Sequence, residues 1–174
     1  MVCCVTGHRP SGFCFPREET DPHFLDYNVK LTDAVEELIL SGCDTFITGM
    51  ADGGDLDFAN SVIRFRNVYE HISLEAAIPC PIKKTKKYTD YHQNRDYVLS
   101  QCNKSYIVSE YFHRGCMEKR NRFMVDRADI VFAIWNGKQV GGTWNTIRYA
   151  RAKGKQIRYF MLTDLLSLEY DVKR

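Results

Sequence analysis

Two hydrophobic rhythms alternate along this chain. Short, nearly continuous apolar runs recur at residues 2–6, 46–48, 72–79, 105–109, 130–135 and 156–162. Each reads as a strand buried on both faces, because a strand with one solvated face would alternate apolar with polar. Between them the apolar positions spread to helical spacing. Within 27–41, Leu31, Val35, Leu38 and Ile39 share one stripe, and Gly42 supplies a stop signal. Within 56–65, Leu56, Ala59, Val62 and Ile63 do the same. Further helices are predicted at 91–101, 116–127 and 143–153, the last ending at Gly154. Strands of this kind separated by amphipathic helices predict an α/β protein, Rossmann-like: a doubly wound, mostly parallel sheet with helices on both faces. The pattern runs through residues 1–174 without a linker or internal repeat, which predicts one domain.

That architecture locates chemistry before any motif does. In open parallel sheets, ligands bind beyond the carboxyl ends of the strands, where helix N-termini present free amides. The unusual residues of this chain fall there in succession: "TGHRP" after the first strand, "GMADGGD" after the second, "PCP" after the third, "EYFHRG" after the fourth and "NGKQVGGT" after the fifth. In "VGGTWNT", Gly141 and Gly142 let backbone approach a ligand, and Thr143 and Thr146 add hydroxyls at the positive end of a helix dipole. That combination suits phosphate, although a tight turn with Thr143 as a helix cap would read the same. The loop holding Gly49, Asp52, Gly53 and Asp55 carries acids that would repel phosphate. Its carboxylates suit ribose hydroxyls or a magnesium ion, with Asp55 the better ligand contact and Asp57 a helix-start acid.

The first loop supplies the missing positive charge. Thr6, Gly7, His8 and Arg9 sit where a strand ends, Arg9 able to grip phosphate bidentately and His8 to act as acid, base or donor. Arg120, Asn121 and Met124 share a helix face, with Asn121 placed to bond a base or ribose and Met124 a core residue. Tyr111, Phe112 and His113 would stack on a base or be buried.

Composition narrows the partners. A net charge of +2 gives no footprint for nucleic acid or a membrane surface, and no apolar run approaches a bilayer span. The N-terminus lacks the form of a signal peptide. Seven cysteines without a C-x-x-C spacing read as reduced thiols of a cytoplasmic protein. Neither Cys80 nor Cys116 has an evident base nearby and neither is expected to be a nucleophile. Scattered histidines give no closed zinc site, so no metal site is predicted. The basic run Lys83–Tyr88 reads as a solvated loop. No cofactor can be named from the sequence, and a homo-oligomer stays open.

Taken in order, "CCVTGHRP", "FITGMADGGDLDFA", "AAIPCP", "CMEKRNRFMVDRADIVFAIWNG" and "GGTWNTIRYARAKGK" resemble the YpsA-like branch of the SLOG superfamily, over nearly the whole chain. The resemblance implies a Rossmann-like fold and a nucleotide-related small-molecule ligand, such as a nucleotide, NAD or an ADP-ribose-like compound, held by a sensor or binding module. Relatives include the Lonely Guy phosphoribohydrolases and the nucleic-acid binder DprA. Lonely Guy enzymes carry a proline-glycine-glycine-x-glycine-threonine loop followed by a catalytic glutamate. Here Val140 stands in the proline place and no acid follows before Arg151, which counts against that hydrolase chemistry. The modest charge counts against a DprA-like role.

Overall fold

The computed structural model describes residues 1–81 and 88–167. The expected solvated loop at Lys83–Tyr88 and the chain beyond Ser167 therefore fall mostly or wholly outside the described residues. In chain order the elements are β1 (Val2–Gly7), α1 (Pro22–Leu40), β2 (Thr45–Thr48), α2 (Gly54–Phe65), β3 (Ser73–Ile78), α3 (Asp90–Gln101), β4 (Lys104–Ile107), α4 (Cys116–Arg127), β5 (Ile130–Trp135), α5 (Gly141–Ala152) and β6 (Gln156–Met161). Short 3-10 turns lie at Pro10–Gly12 and Leu162–Ser167.

The strands form one sheet in the order β4-β3-β2-β1-β5-β6, and every neighbouring pair is parallel. Strict alternation sorts each strand between two cores. Cys3, Phe46, Leu74, Ala76, Ile130 and Phe132 face the layer built with Leu31, Leu56, Phe58, Val62 and Val98 of α1, α2 and α3. Their neighbours Cys4, Ile47, Ala77 and Val131 face Met124, Val125 and Ala150 of α4 and α5. Both faces of the central strands are thus covered, and all six residues of β5 are buried, whereas the edge strands β4 and β6 are largely exposed or only partly buried, short of the burial on both faces expected of them.

Three helices begin earlier than their apolar stripes suggest, α2 among them at Gly54. α1 starts at Pro22 because the Asp21 carboxylate accepts from the amides of His23 and Phe24, and proline is preorganised for a first helical position. α5 starts at Gly141, so its glycines belong to the helix's first turn. Asp57 of α2 behaves as an internal residue: Arg17 grips it at 2.6 and 2.9 Å and the buried Tyr27 hydroxyl donates to it at 2.9 Å. Arg17 also lies over the rings of Phe13 and Phe24, so this cluster pins the segment after β1 onto α1 and α2.

The chain leaves β4 at one edge of the sheet and re-enters it at β5, beside β1. The strand order therefore reverses between β1 and β5. Because all strands run parallel, the loops holding Gly7, Gly49 and Gly142 open on the same edge.

Candidate functional site

The loops after β1 and β2 are built against each other. A Cβ on Gly7 would lie 2.8 Å from the Gly54 Cα, the Gly54 amide donates to the His8 carbonyl at 3.0 Å, and Gly53, at φ 90°, presses on that same carbonyl. The Gly7 amide donates to Asp55 Oδ1 at 3.0 Å, while Thr48 donates its hydroxyl to the Asp55 carbonyl. Asp55 is consequently 4% exposed.

Its second carboxylate oxygen faces Arg120, reaching in from α4, at 3.9 Å. That separation is too long for a hydrogen bond. Arg120 is 5% exposed, and its Nε and Nη1 make no hydrogen bond among the described residues. Burial pulls the guanidinium below its usual value; Asp55 opposes this and Arg9 reinforces it. Burial pushes the Asp55 carboxyl up, against the pull of Arg120 and the Gly7 amide. Two buried charges are thus incompletely compensated, a costly arrangement in a protein interior. Gly49 makes it sterically feasible, since a Cβ there would collide with the Arg120 guanidinium and lie 2.6 Å from Asp55 Oδ2.

Above this pair lies a polar cavity of about 310 Å³, in the crevice where the strand order reverses. Of the residues selected from sequence, Thr6, Gly7, His8, Arg9, Asp55, Asn121, Gly142 and Thr143 line it, together with Arg120. Thr146 lies just outside, where it accepts from the Asn121 amide at 3.0 Å and donates to the Gly142 carbonyl at 2.9 Å. Gly49 lines an adjoining chamber, whereas Asp52, Gly53 and Gly141 do not line the polar cavity. The α5 turn has no side-chain cap, and a Cβ on Gly142 would meet nothing within 4 Å. Its first amides are thus left without a capping side chain beside a cavity containing Arg9 and Arg120.

His8 lines the polar cavity and is partly buried there. Partial burial lowers its pKa and Lys138 adds to this, with Asn136 opposing. Its Nε2 is buried with no hydrogen-bond partner among the described residues.

The adjoining chamber, about 440 Å³, shares Arg9, Ala51, Met117 and Arg120 with the polar cavity and is otherwise mostly apolar. Met50, at the end of β2, has φ 61° and is the one described non-glycine residue with positive φ. Such a backbone costs on the order of 1–3 kcal/mol and persists where its surroundings over-determine it. Here Thr48 accepts from the Met50 amide and the Tyr91 hydroxyl donates to its carbonyl. Tyr111 and Phe112, for which burial was one expectation, are 69% and 66% exposed, and Phe112 lines the chamber.

Arg120 is the residue whose role the sequence reading did not assign. Its signal was positional: Cys116, Arg120 and Met124 follow one another at four-residue steps, and all are buried. A cation inside an apolar stripe needs a reason, but the surrounding run of Lys119, Arg122 and Arg127 disguised it as part of a solvated face. The acids of the second loop also separate. Asp57 goes to Arg17 and Tyr27 and Asp55 to Gly7 and Arg120. Among the described residues no three His, Cys, Asp or Glu side chains gather into a metal-binding group. No described helix is long and apolar enough to cross a membrane.

A doubly wound parallel sheet with a crevice at its point of strand reversal defines a Rossmann-like α/β protein. The chain matches the model of the YspA SLOG family (YpsA) over residues 3–166, and it belongs to that family. It is also similar to the uncharacterized SPbeta prophage-derived protein YoqJ of Bacillus subtilis (strain 168), at 28% identity over 146 residues, covering 75% of this chain and 84% of that protein.

Proposed function

We propose that this protein binds a phosphorylated, nucleotide-related small molecule in the polar cavity at the carboxyl edge of its sheet, as a sensor or binding module. The observation that carries this reading is the buried, incompletely paired guanidinium of Arg120, set opposite the uncapped first turn of α5. An anion between them would complete the hydrogen bonding of Arg120, engage Arg9 and satisfy amides at a helix N-terminus. Membership of the SLOG family suggests a nucleotide-related ligand, for which phosphate is the natural anion. Asp55 is best understood as the residue that holds the β1 loop and faces Arg120, so that the guanidinium is preset for its ligand.

Binding is favoured over hydrolysis because the helix after the glycine pair carries no carboxylate before Arg151. A thermal-shift screen of nucleoside monophosphates, NAD and ADP-ribose tests the reading, since a ligand that binds only the folded chain raises the melting temperature by mass action. A phosphorylated compound should raise it while its dephosphorylated nucleoside does not. Equal shifts for phosphorylated and unphosphorylated compounds would reject an anion site, and release of free base during incubation would move the reading to a hydrolase.

A further inference from the structure

We infer that the apolar chamber beyond Arg120 is a ring subsite, receiving the flat heteroaromatic part of a ligand whose anion is held in the polar cavity. This rests on the anion reading above and adds the direction in which the ligand extends.

Two routes lead away from the polar cavity. One runs between α4 and α5 into a groove lined by Glu118, Asn121, Arg122, Arg148 and Tyr149. Its walls include Met117 and Tyr149 but carry more polar and charged groups than those of the chamber. The other passes Ala51 and Met117 into the chamber, whose walls are Met50, Ile78, Pro79, Tyr91 and Phe112. Arg9 and Arg120 line both compartments, so a molecule gripped by them on one side has the chamber directly on the other. A planar ring presents apolar faces with a few polar edge atoms, and this chamber offers the complement: apolar side chains, with Arg95 as a wall cation.

Two features of the wall point to an occupant. Phe112 keeps 66% of its surface in solvent while bordering the chamber, so its ring is free to pack on a bound ring. Met50, in the chamber wall, is held in a left-handed backbone conformation by the bond its amide donates to Thr48 and the one its carbonyl accepts from Tyr91, and residues so over-determined cluster at ligand sites. Arg120 lines both compartments, and its Nε and Nη1 are buried with no hydrogen-bond partner among the described residues.

The test is calorimetry with the four common nucleoside monophosphates and ribose 5-phosphate, on the wild-type chain, Phe112→Ala and Tyr149→Ala. Phe112 is exposed, so its truncation leaves the core intact. At least one nucleotide should bind about tenfold or more tightly than ribose 5-phosphate, as expected when a base gains an aromatic platform. Phe112→Ala should remove most of that advantage, leaving ribose 5-phosphate within about twofold, and Tyr149→Ala should change neither. Nucleotides and ribose 5-phosphate binding alike, with Phe112→Ala silent, would overturn the ring subsite while leaving the anion site standing. Loss on Tyr149→Ala instead would place the ring between α4 and α5. Absence of binding by every probe would overturn the anion reading and the subsite with it.

Discussion

The loops after β2 and β5 each carry a glycine pair leading into a helix, yet their glycines exist for opposite reasons. In the loop after β2 the missing side chains make room for the protein itself: a Cβ on Gly49 would strike Arg120, one on Gly53 the His8 carbonyl, and one on Gly54 would sit 3.0 Å from the Gly7 Cα. In the loop after β5 a Cβ on either Gly141 or Gly142 would meet nothing within 4 Å, although Gly141, at φ 85°, is a glycine that its backbone favours, which leaves Gly142 as the telling position. The first loop is filled and the second is open. At Gly142, in the first turn of an uncapped helix and beside two arginines, that open space is where the proposed reading puts an anion. The comparison teaches that a glycine-rich turn is informative about a ligand only once the fold's own claims on the space are known.

The contrast makes its largest prediction for folding. Gly53→Ala forces a Cβ into a backbone of φ 90° and ψ −131° and against a main-chain carbonyl, so unfolding in urea should show a loss of about 3 kcal/mol or more. Gly142→Ala should do the reverse. The α5 turn accepts alanine at no steric cost, so stability should hold or rise by about 0.4–1 kcal/mol, while affinity for a phosphorylated ligand falls about tenfold or more. Equal loss of stability in the two variants would erase the distinction between the loops.

Asp55→Asn gives a smaller and sharper test. Asparagine can still accept from the Gly7 amide but no longer balances Arg120. A positioning role predicts that ribose and deoxyribose forms of one nucleotide change affinity together, by less than about tenfold. A loss confined to the ribose form would show that Asp55 reads the sugar directly, as the acidic loop first suggested.

The smallest effect concerns pH. His8 has a folded-state pKa below its ordinary value of 6.5, so the unfolded chain takes up the proton first as pH falls. Its contribution is fully present above about pH 6.5 and is lost progressively below. Stability measured from pH 7.5 to 5 should fall less steeply in His8→Gln than in the wild type; identical slopes would mean that the imidazole is not kept neutral by the fold.

Much of this was readable in the chain. Doubly apolar strands such as Ile130–Trp135 can exist only in a sheet covered on both faces, and the strand ends then carry the polar loops to one edge. The cationic centre was harder to see. Arg120 sits among surface cations in the sequence, and only the packing of α4 under the crevice shows that it is the buried one. The apolar chamber had no sequence signature, because Met50, Ile78, Tyr91 and Phe112 come from four separate stretches of chain and are brought together by strand order. That Asp55 also holds the first loop was not legible, because the Gly7 amide that bonds one of its oxygens lies 48 residues away.

The most direct measurement is titration calorimetry of the best phosphorylated ligand against the wild-type chain, Arg120→Gln, and the double variant Arg120→Gln/Asp55→Asn, with urea unfolding run in parallel. The double variant removes both buried charges, so it keeps a folded reference even where the single change leaves Asp55 uncompensated. If Arg120 is the preset anion anchor, both variants lose affinity by about tenfold to a hundredfold and the double variant unfolds at or above the wild-type midpoint. Wild-type affinity retained in the folded double variant would contradict the account, because the anion would then be held without Arg120.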